Sequence, residues 1–145
     1  MSVQDKESQM SFELHSCAHL LRRNFDRRAK AHGLSRSRWQ VLWHLAKEEG
    51  QKQAELAERM DVAPISLARQ IDKLQEEGLV ERRQDPEDRR CFRIFLTAAA
   101  EPALEILRGL ARQTRKQALV GFSGDEIKQL QELLERLKKN LVEPA

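Results

Sequence analysis

The sequence predicts a mainly α-helical fold with a small β-wing, in which a winged helix–turn–helix lies between terminal helices. Two short strand-like runs, residues 79–83 and 91–97, flank a polar hairpin, as in a two-stranded wing. Directly before them, residues 64–77 have the apolar spacing of an amphipathic helix that ends at Gly78. A helix–turn–helix followed by a basic wing is typical of DNA-binding modules.

The composition indicates a soluble protein with one ordinary core. The chain has 145 residues, of which 40% are hydrophobic and 34% are charged, enough for a single packed domain. No apolar stretch approaches the roughly 20 residues that span a bilayer, and the first residues carry no apolar signal-peptide core. We therefore expect a cytoplasmic protein without a membrane partner. Its two cysteines, Cys17 and Cys91, do not make a disulfide framework.

Four helices are predicted before the wing, because apolar side chains recur there every three or four residues. Pro64 suits the first turn of the fourth helix, where its missing N–H would be unpaired anyway. Gly78 suits the left-handed residue just past the end of that helix. The predicted helices cover residues 11–32, Ser35 to near Gly50, residues 53–60 and residues 64–77.

Two long helices are predicted after the wing. Thr97 can cap the first, which runs to about Val120, and the second opens at Ser123 or Gly124. Long amphipathic helices must bury their apolar stripes, and a second subunit is the simplest partner. We therefore expect residues 8–32 and 98–142 to form a dimerisation region around residues 34–97, the DNA-binding domain. The last helix carries a coiled-coil-like seam of Ile127, Leu130, Leu134, Leu137 and Leu141.

The fourth helix has a polar face suited to reading DNA. At about 100° per residue, Ser66, Arg69, Gln70 and Lys73 lie on one side, opposite mostly apolar residues. Arginine can bond guanine O6 and N7 together, glutamine can bond adenine, and serine or lysine can hold phosphate. Any solvated helix face looks similar, so the adjacent wing is what favours double-stranded DNA as the partner.

The wing combines arginines with carboxylates. Arg82 lies on its first strand, and Arg89 and Arg90 lie at its tip beside Asp88. We expect these four residues to belong to the DNA-binding surface. We expect Asp88 to brace an arginine or the hairpin backbone, so that Arg90 can enter an A·T-rich minor groove with Arg89 assisting. The alternative is a surface salt-bridge loop, which contributes little energy. Residues 63–97 hold seven Arg or Lys and seven Asp or Glu, so any basic face depends on where side chains point.

Several motifs along the chain carry a family resemblance. They are Leu34-Ser-x-x-x-Trp39, Ser66-Leu-x-Arg69-x-Ile-Asp-x-Leu74, Glu76-Glu-Gly-Leu-Val-x-Arg82, and Asp88-Arg-Arg90 followed by Arg93-Ile-x-Leu-Thr97. At these residues the sequence resembles the MarR family of bacterial transcriptional regulators, and within it the SlyA-type proteins. The resemblance covers nearly the whole chain.

The resemblance implies a homodimer with interlocked terminal helices and two winged modules on a pseudo-palindromic operator. It also implies base contacts from Ser66, Arg69 and Gln70, with Arg90 in the minor groove. Such proteins repress, or displace a nucleoid silencer, and many release DNA when a small phenolic carboxylate binds between the dimer and winged regions. Pro64-Ile65 and Glu101-Pro102 depart from patterns common in these relatives.

A ligand site is one hypothesis for the cleft between the first two helices. His19, Arg22, Trp39 and Trp43 could offer apolar walls and a guanidinium to an aromatic carboxylate. The alternative is that both tryptophans belong to the core. No cofactor and no catalysis are expected, because the sequence has no glycine-rich phosphate loop, no nucleophile elbow and no paired metal motif.

The alternatives to a ligand-released regulator are a redox-sensing regulator and a protein-interaction dimer without sequence-specific DNA binding. A sensor thiol needs a lowered pKa, and positive charge could come from His15, His19 and Arg93. Cys17 lies on an apolar helix stripe, however, which favours a buried structural cysteine over a redox role. His15 and His19 could share a metal, but two ligands do not make a site.

Overall fold

A computed structural model describes residues 2–142, apart from the side chain of Gln4. These residues form helices at both ends of the chain and a winged segment between them, which confirms the predicted fold class. The elements are α1 (Val3–Ala31), α2 (Arg36–Lys47), β1 (Gln51–Lys52), α3 (Gln53–Met60), α4 (Pro64–Glu76), β2 (Val80–Gln84), β3 (Phe92–Leu96), a 3-10 turn (Ala98–Ala100), α5 (Glu101–Ala118) and α6 (Gly124–Val142).

The sheet is antiparallel and has β3 at its centre, in the order β1-β3-β2. Val80 faces Leu96 and Gln84 faces Phe92 across the wing, while Gln51 faces Ile94 on the other side. The sequence did not predict β1, because two residues are too few to show alternation. Its formation depends on pairing with a strand some forty residues later in the chain.

The core lies in the winged segment and extends to the C-terminal part of α1 and to α5. The fully buried large side chains come from α2, α3, α4 and the wing, and burial of each such leucine, isoleucine or valine contributes about 1.5–3 kcal/mol. They are Val41, Leu42, Leu45, Leu56, Leu67, Ile71, Leu74, Val80 and Ile94, joined by Leu107 of α5. The docking of α4 on α2 and α3 therefore turns its polar face outward.

Of the terminal helices, α5 contributes Leu104, Leu107, Leu110 and Ala111 to this core, whereas α1 contributes only Phe25 and Ala29, near its C-terminal end. Phe25 of α1 packs on Trp39, with ring centroids 4.5 Å apart, and Arg28 donates to Thr114 of α5 at 3.1 Å. The N-terminal half of α1 and all of α6 bury no side chain in the described chain. Their apolar stripes are left facing solvent.

The starts of α1 and α5 differ from the sequence prediction. α1 begins at Val3 rather than near residue 11, because Ser2 and Asp5 cap each other's backbone N–H groups. The Thr97 hydroxyl donates to the Gly78 carbonyl instead of capping a helix, and a 3-10 turn precedes α5. Among the described residues, no helix combines the length and apolar character needed to cross a membrane.

Candidate nucleic-acid interface

Helix α4 is positioned by a short set of local signals. Pro64 lies in its first turn, and Gly78 follows its end with φ +77°, a conformation that favours glycine. Leu67, Ile71 and Leu74 are buried. The side chains of Ser66, Arg69 and Lys73 are consequently exposed on the outer face.

Gln70 differs from the other predicted reading residues. It is half-buried, and its Oε1 atom is buried without a hydrogen-bond partner among the described residues. A two-bond contact with adenine would require this amide to rotate toward the groove.

The tip of the wing is organised by Asp88. Its Oδ1 atom accepts a hydrogen bond from the Arg90 backbone N–H at 3.1 Å and another from Arg90 Nε at 3.2 Å. These two bonds, the backbone one first, lower the pKa of Asp88. The Arg90 side chain is nevertheless 91% exposed, and Arg89 is exposed beside it. The hairpin therefore presents two arginines to solvent while its backbone is held.

Asp85 anchors the base of the same hairpin, a role that the sequence reasoning missed. Its side chain is 2% exposed and lies 3.4 Å from Arg93 Nε and 3.8 Å from Lys52 Nζ. A hydrogen bond from the Glu87 backbone N–H is the main cause of its lowered pKa, and the charges of Arg93 and Lys52 lower it further. The Asp-Pro pair that begins here was the available signal, since it favours a turn.

Arg82 points into the protein rather than out of the wing. Its guanidinium donates to Gln53 of α3 at 3.0 Å, and to Gln75 at 3.0 Å and the Ala68 carbonyl at 3.1 Å on α4. It also pairs with Asp72 of α4 at 2.6 Å. Because its side chain is only 19% exposed, Arg82 joins the wing to the two helices.

The wing tip and the start of α4 border one groove of about 240 Å³. Arg90 and Phe92 line it from the wing, and Pro64 lines it from α4. The wing tip, which carries Arg90, and helix α4, which was predicted to enter the major groove, are thus neighbouring elements.

The four residues predicted to bind a ligand are not gathered into one pocket. Trp39 is buried and its Nε1 donates to Asp26 at 2.7 Å, while Trp43 packs against the core. His19 and Arg22 are exposed on α1. A different, apolar cavity of about 430 Å³ lies between α1, α5 and α6, and none of these four residues lines it.

The two cysteines do not match the sequence expectations. Cys17 is exposed in the described chain rather than buried, and it lines the apolar cavity between α1, α5 and α6. Burial, followed by a hydrogen bond to Asp88, raises the pKa of Cys91, whereas the redox hypothesis needed Arg93 to lower it. Within residues 2–142, no group of three or more His, Cys, Asp or Glu is placed to hold a metal.

Comparison with known proteins identifies the family. Residues 34–92 match the MarR family. The chain is 35% identical to a structure described as transcriptional regulator PA3341, with a TM-score of 0.80 over 91% of this chain and 97% of that one. It is 26% identical to a crystal structure of MarR, with a TM-score of 0.72 over 89% and 97% of the two chains.

A third structure is described as a mutant MarR from E. coli complexed with operator DNA. It shares 20% identity and a TM-score of 0.74 over 94% of this chain and 99% of that one, and so shows a shared fold. The profile match and the 35% identical regulator together establish the relationship. The chain belongs to the MarR family of DNA-binding transcriptional regulators, which are not enzymes.

Proposed function

We propose that the chain acts as a homodimer of SlyA type, which binds a pseudo-palindromic operator and regulates transcription. The observation that carries the proposal is the exposed face of α4 beside the exposed arginine tip of the wing. A recognition helix in the major groove with a wing in the adjacent minor groove would use both surfaces at once. The operator-bound MarR structure, which shares the fold, supports this arrangement.

The polar face of α4 would supply the major-groove contacts. Arg69 is the residue suited to a guanine, while Ser66 and Lys73 are suited to phosphates or base edges. All three side chains are exposed, and among residues 2–142 none of them makes the hydrogen bonds to neighbouring elements that engage Arg82. Gln70 would join them after its amide rotates outward.

The wing would supply the minor-groove contact. Arg90 extends into solvent from a backbone held by Asp88, so little ordering of the loop is needed on binding. A narrow A·T-rich minor groove has an enhanced negative potential that attracts such an arginine. In this proposal Arg89 assists, and Arg82 positions the wing instead of touching DNA.

The terminal helices would hold the dimer together. Leu14 and Leu21 of α1 and Leu130, Leu134 and Leu141 of α6 are each more than 40% exposed in the described chain. Exposed stripes on helices of this length are typical of a subunit interface. A two-fold dimer would place two winged modules on the two halves of a palindrome.

Release by a small aromatic carboxylate is a separate part of the proposal. Its support is the exposure of Arg22 and His19 on α1 and the partial burial of Trp43, together with the family membership. Salicylate should change tryptophan fluorescence and weaken operator binding in parallel. If saturating salicylate changes neither, this ligand class is excluded while the DNA-binding proposal stands.

The experiment that tests the main proposal is selection of bound sequences from a random DNA pool at two salt concentrations. An enriched A·T-rich palindrome, with half-sites about one helical turn apart, is the expected result. Affinity should fall steeply with salt, because each phosphate contact releases counterions. Absence of any DNA binding would instead favour the protein-interaction dimer. A redox regulator would lose its peroxide response when Cys17 and Cys91 are both replaced by serine.

A further inference from the structure

Two exposed apolar side chains in the winged segment are not explained by the proposed dimer. Most large exposed apolar side chains of the described residues lie on α1, α6 and the turn before α6. Between Leu34 and Thr97, the ones recorded within residues 2–142 are Ile65, at 65% exposure, and Phe92, at 44%. Phe92 lines the groove shared by the wing tip and Pro64. Phe92 therefore lies beside the start of α4, and Ile65 directly follows Pro64 at that start.

Ile65 occupies a position from which a base can be reached. It lies in the first turn of α4, and the N-terminal residues of a recognition helix are those that contact base edges. Ile65 and Arg69 are four residues apart, so they lie about 40° apart around the helix and one turn from each other. The side chain of Ile65 thus extends beside the arginine proposed to read a base.

The chemistry of isoleucine restricts what it can recognise. It has no hydrogen-bond donor or acceptor, so it cannot hold a phosphate or the polar edge of a base. In the major groove, thymine presents a methyl group on C5, which an apolar side chain can contact. Cytosine lacks that methyl group, and purines present polar atoms in its place.

We propose that Ile65 is a specificity-determining residue that selects thymine at one position in each half-site by packing on its 5-methyl group. This inference rests on the proposed function, since it requires α4 to enter the major groove. Removal of one buried methyl contact should lower the association constant about fourfold. In a symmetric dimer the two half-sites together should give about fifteenfold.

The test replaces each thymine of the selected operator by deoxyuracil, which lacks only the methyl group. Wild-type protein should lose affinity at one thymine per half-site, and Ile65→Ala should bind that thymine and its uracil substitute equally. Ile65→Val should keep part of the discrimination. Ile106→Ala, which truncates an exposed isoleucine of α5, is the matched control and should retain the full wild-type response.

The outcomes separate this inference from the function on which it rests. If an operator is selected but Ile65→Ala shows the same methyl dependence as wild type, the assignment of Ile65 is overturned and the regulator proposal stands. If no sequence is enriched and no DNA is bound, both are overturned. Thermal unfolding of Ile65→Ala should match wild type, because the side chain is exposed.

Discussion

The winged segment and the terminal helices differ in where their apolar surfaces are buried. In the winged segment, the apolar faces of α2, α3, α4 and the sheet meet inside one chain. In α6, no residue is buried, although its apolar stripe is as regular as that of α4. The winged segment therefore has its core within one chain, whereas in the proposed dimer a second chain would cover the stripe of α6. We therefore expect variants of α6 to change the oligomeric state, and variants of the winged segment to change operator affinity or stability directly.

The largest effect is expected from a charge placed on the α6 stripe. Leu134→Glu should give a monomer, because a carboxylate cannot be buried in an apolar interface without a partner. A monomer contacts a single half-site, so operator affinity should fall on the order of a hundredfold or more. Sedimentation would measure the oligomeric state, and titration of labelled operator would measure the affinity.

The control for that variant is Gln129→Glu, which adds the same charge to an exposed position off the stripe. It should remain dimeric and bind normally. A dimeric Leu134→Glu protein with normal affinity would mean that α6 does not hold the subunits together. Since the module does not depend on α6 for its core, the helical signal in circular dichroism should survive in either case.

A smaller effect is expected at the wing tip. Arg90→Ala should weaken operator binding by on the order of a few kcal/mol across the dimer, by loss of the minor-groove contact in each half-site. Thermal stability should be unchanged, since the side chain is 91% exposed. Arg112→Ala removes one positive charge from an exposed position on α5 and is the control for bulk charge. Equal losses in the two variants would mean that Arg90 acts through net charge alone.

Arg82 and Arg83 are neighbours on β2. Variants of the two compare an arginine that positions the wing with one that lies on the surface. Arg82→Lys should cost about 1–2 kcal/mol in the free energy of unfolding, because an ammonium cannot replace a guanidinium that bonds to several groups at once. Arg83→Lys should cost less, since Arg83 is exposed, pairs with Glu81 and covers the Phe95 ring at 4.0 Å. Denaturant unfolding measures both.

Operator affinity provides the second measurement for this pair. Arg82→Lys should lower affinity several-fold without touching DNA, because the wing is no longer fixed to α4. If Arg82→Lys unfolds normally but loses affinity as strongly as Arg90→Ala, then Arg82 contacts DNA directly and its proposed positioning role is wrong.

Features that depend on neighbouring residues along the chain could be predicted from the sequence. The bounds of α3, Pro64 in the first turn of α4 and Gly78 after its end agree with the structure, since each depends on neighbours along the chain. The pairing of β1 and the inward turn of Arg82 depend on residues that are distant in sequence. Local spacing carries no information about such contacts, so it did not predict that Arg82 bonds to α3 and α4.

The exposure of Cys17 shows a second kind of limit. The stripe that carries it was recognised as apolar, but the described residues leave Cys17 exposed. Periodicity predicts which face of a helix must be covered and says nothing about what covers it. For the candidate site, the residue types were therefore easier to predict than their contacts. Gln70 is partly turned inward and Asp85 is almost fully buried.

The smallest predicted effect is the acid sensitivity of the wing. The pKa of Asp85 is lowered in the folded chain, mainly by the Glu87 backbone N–H and then by the charges of Arg93 and Lys52. A lowered carboxyl pKa stabilises the fold above the unfolded value of about 3.9, and that stabilisation is lost as pH falls through the folded value. Asp85→Asn should therefore melt below wild type at neutral pH, and the two melting curves should converge below about pH 4.

The matched control is Glu132→Gln, which neutralises an exposed carboxylate in the middle of α6 and should show no such convergence. A constant difference between Asp85→Asn and wild type down to pH 3 would mean that the packing of Asp85, rather than its charge, holds the wing. Convergence would mean that the charge does so, because the carboxyl and the amide are nearly the same size. The wing would then be ordered by an ionisable group before it meets DNA, whereas the stripe of α6 would be covered by a second chain in the proposed dimer.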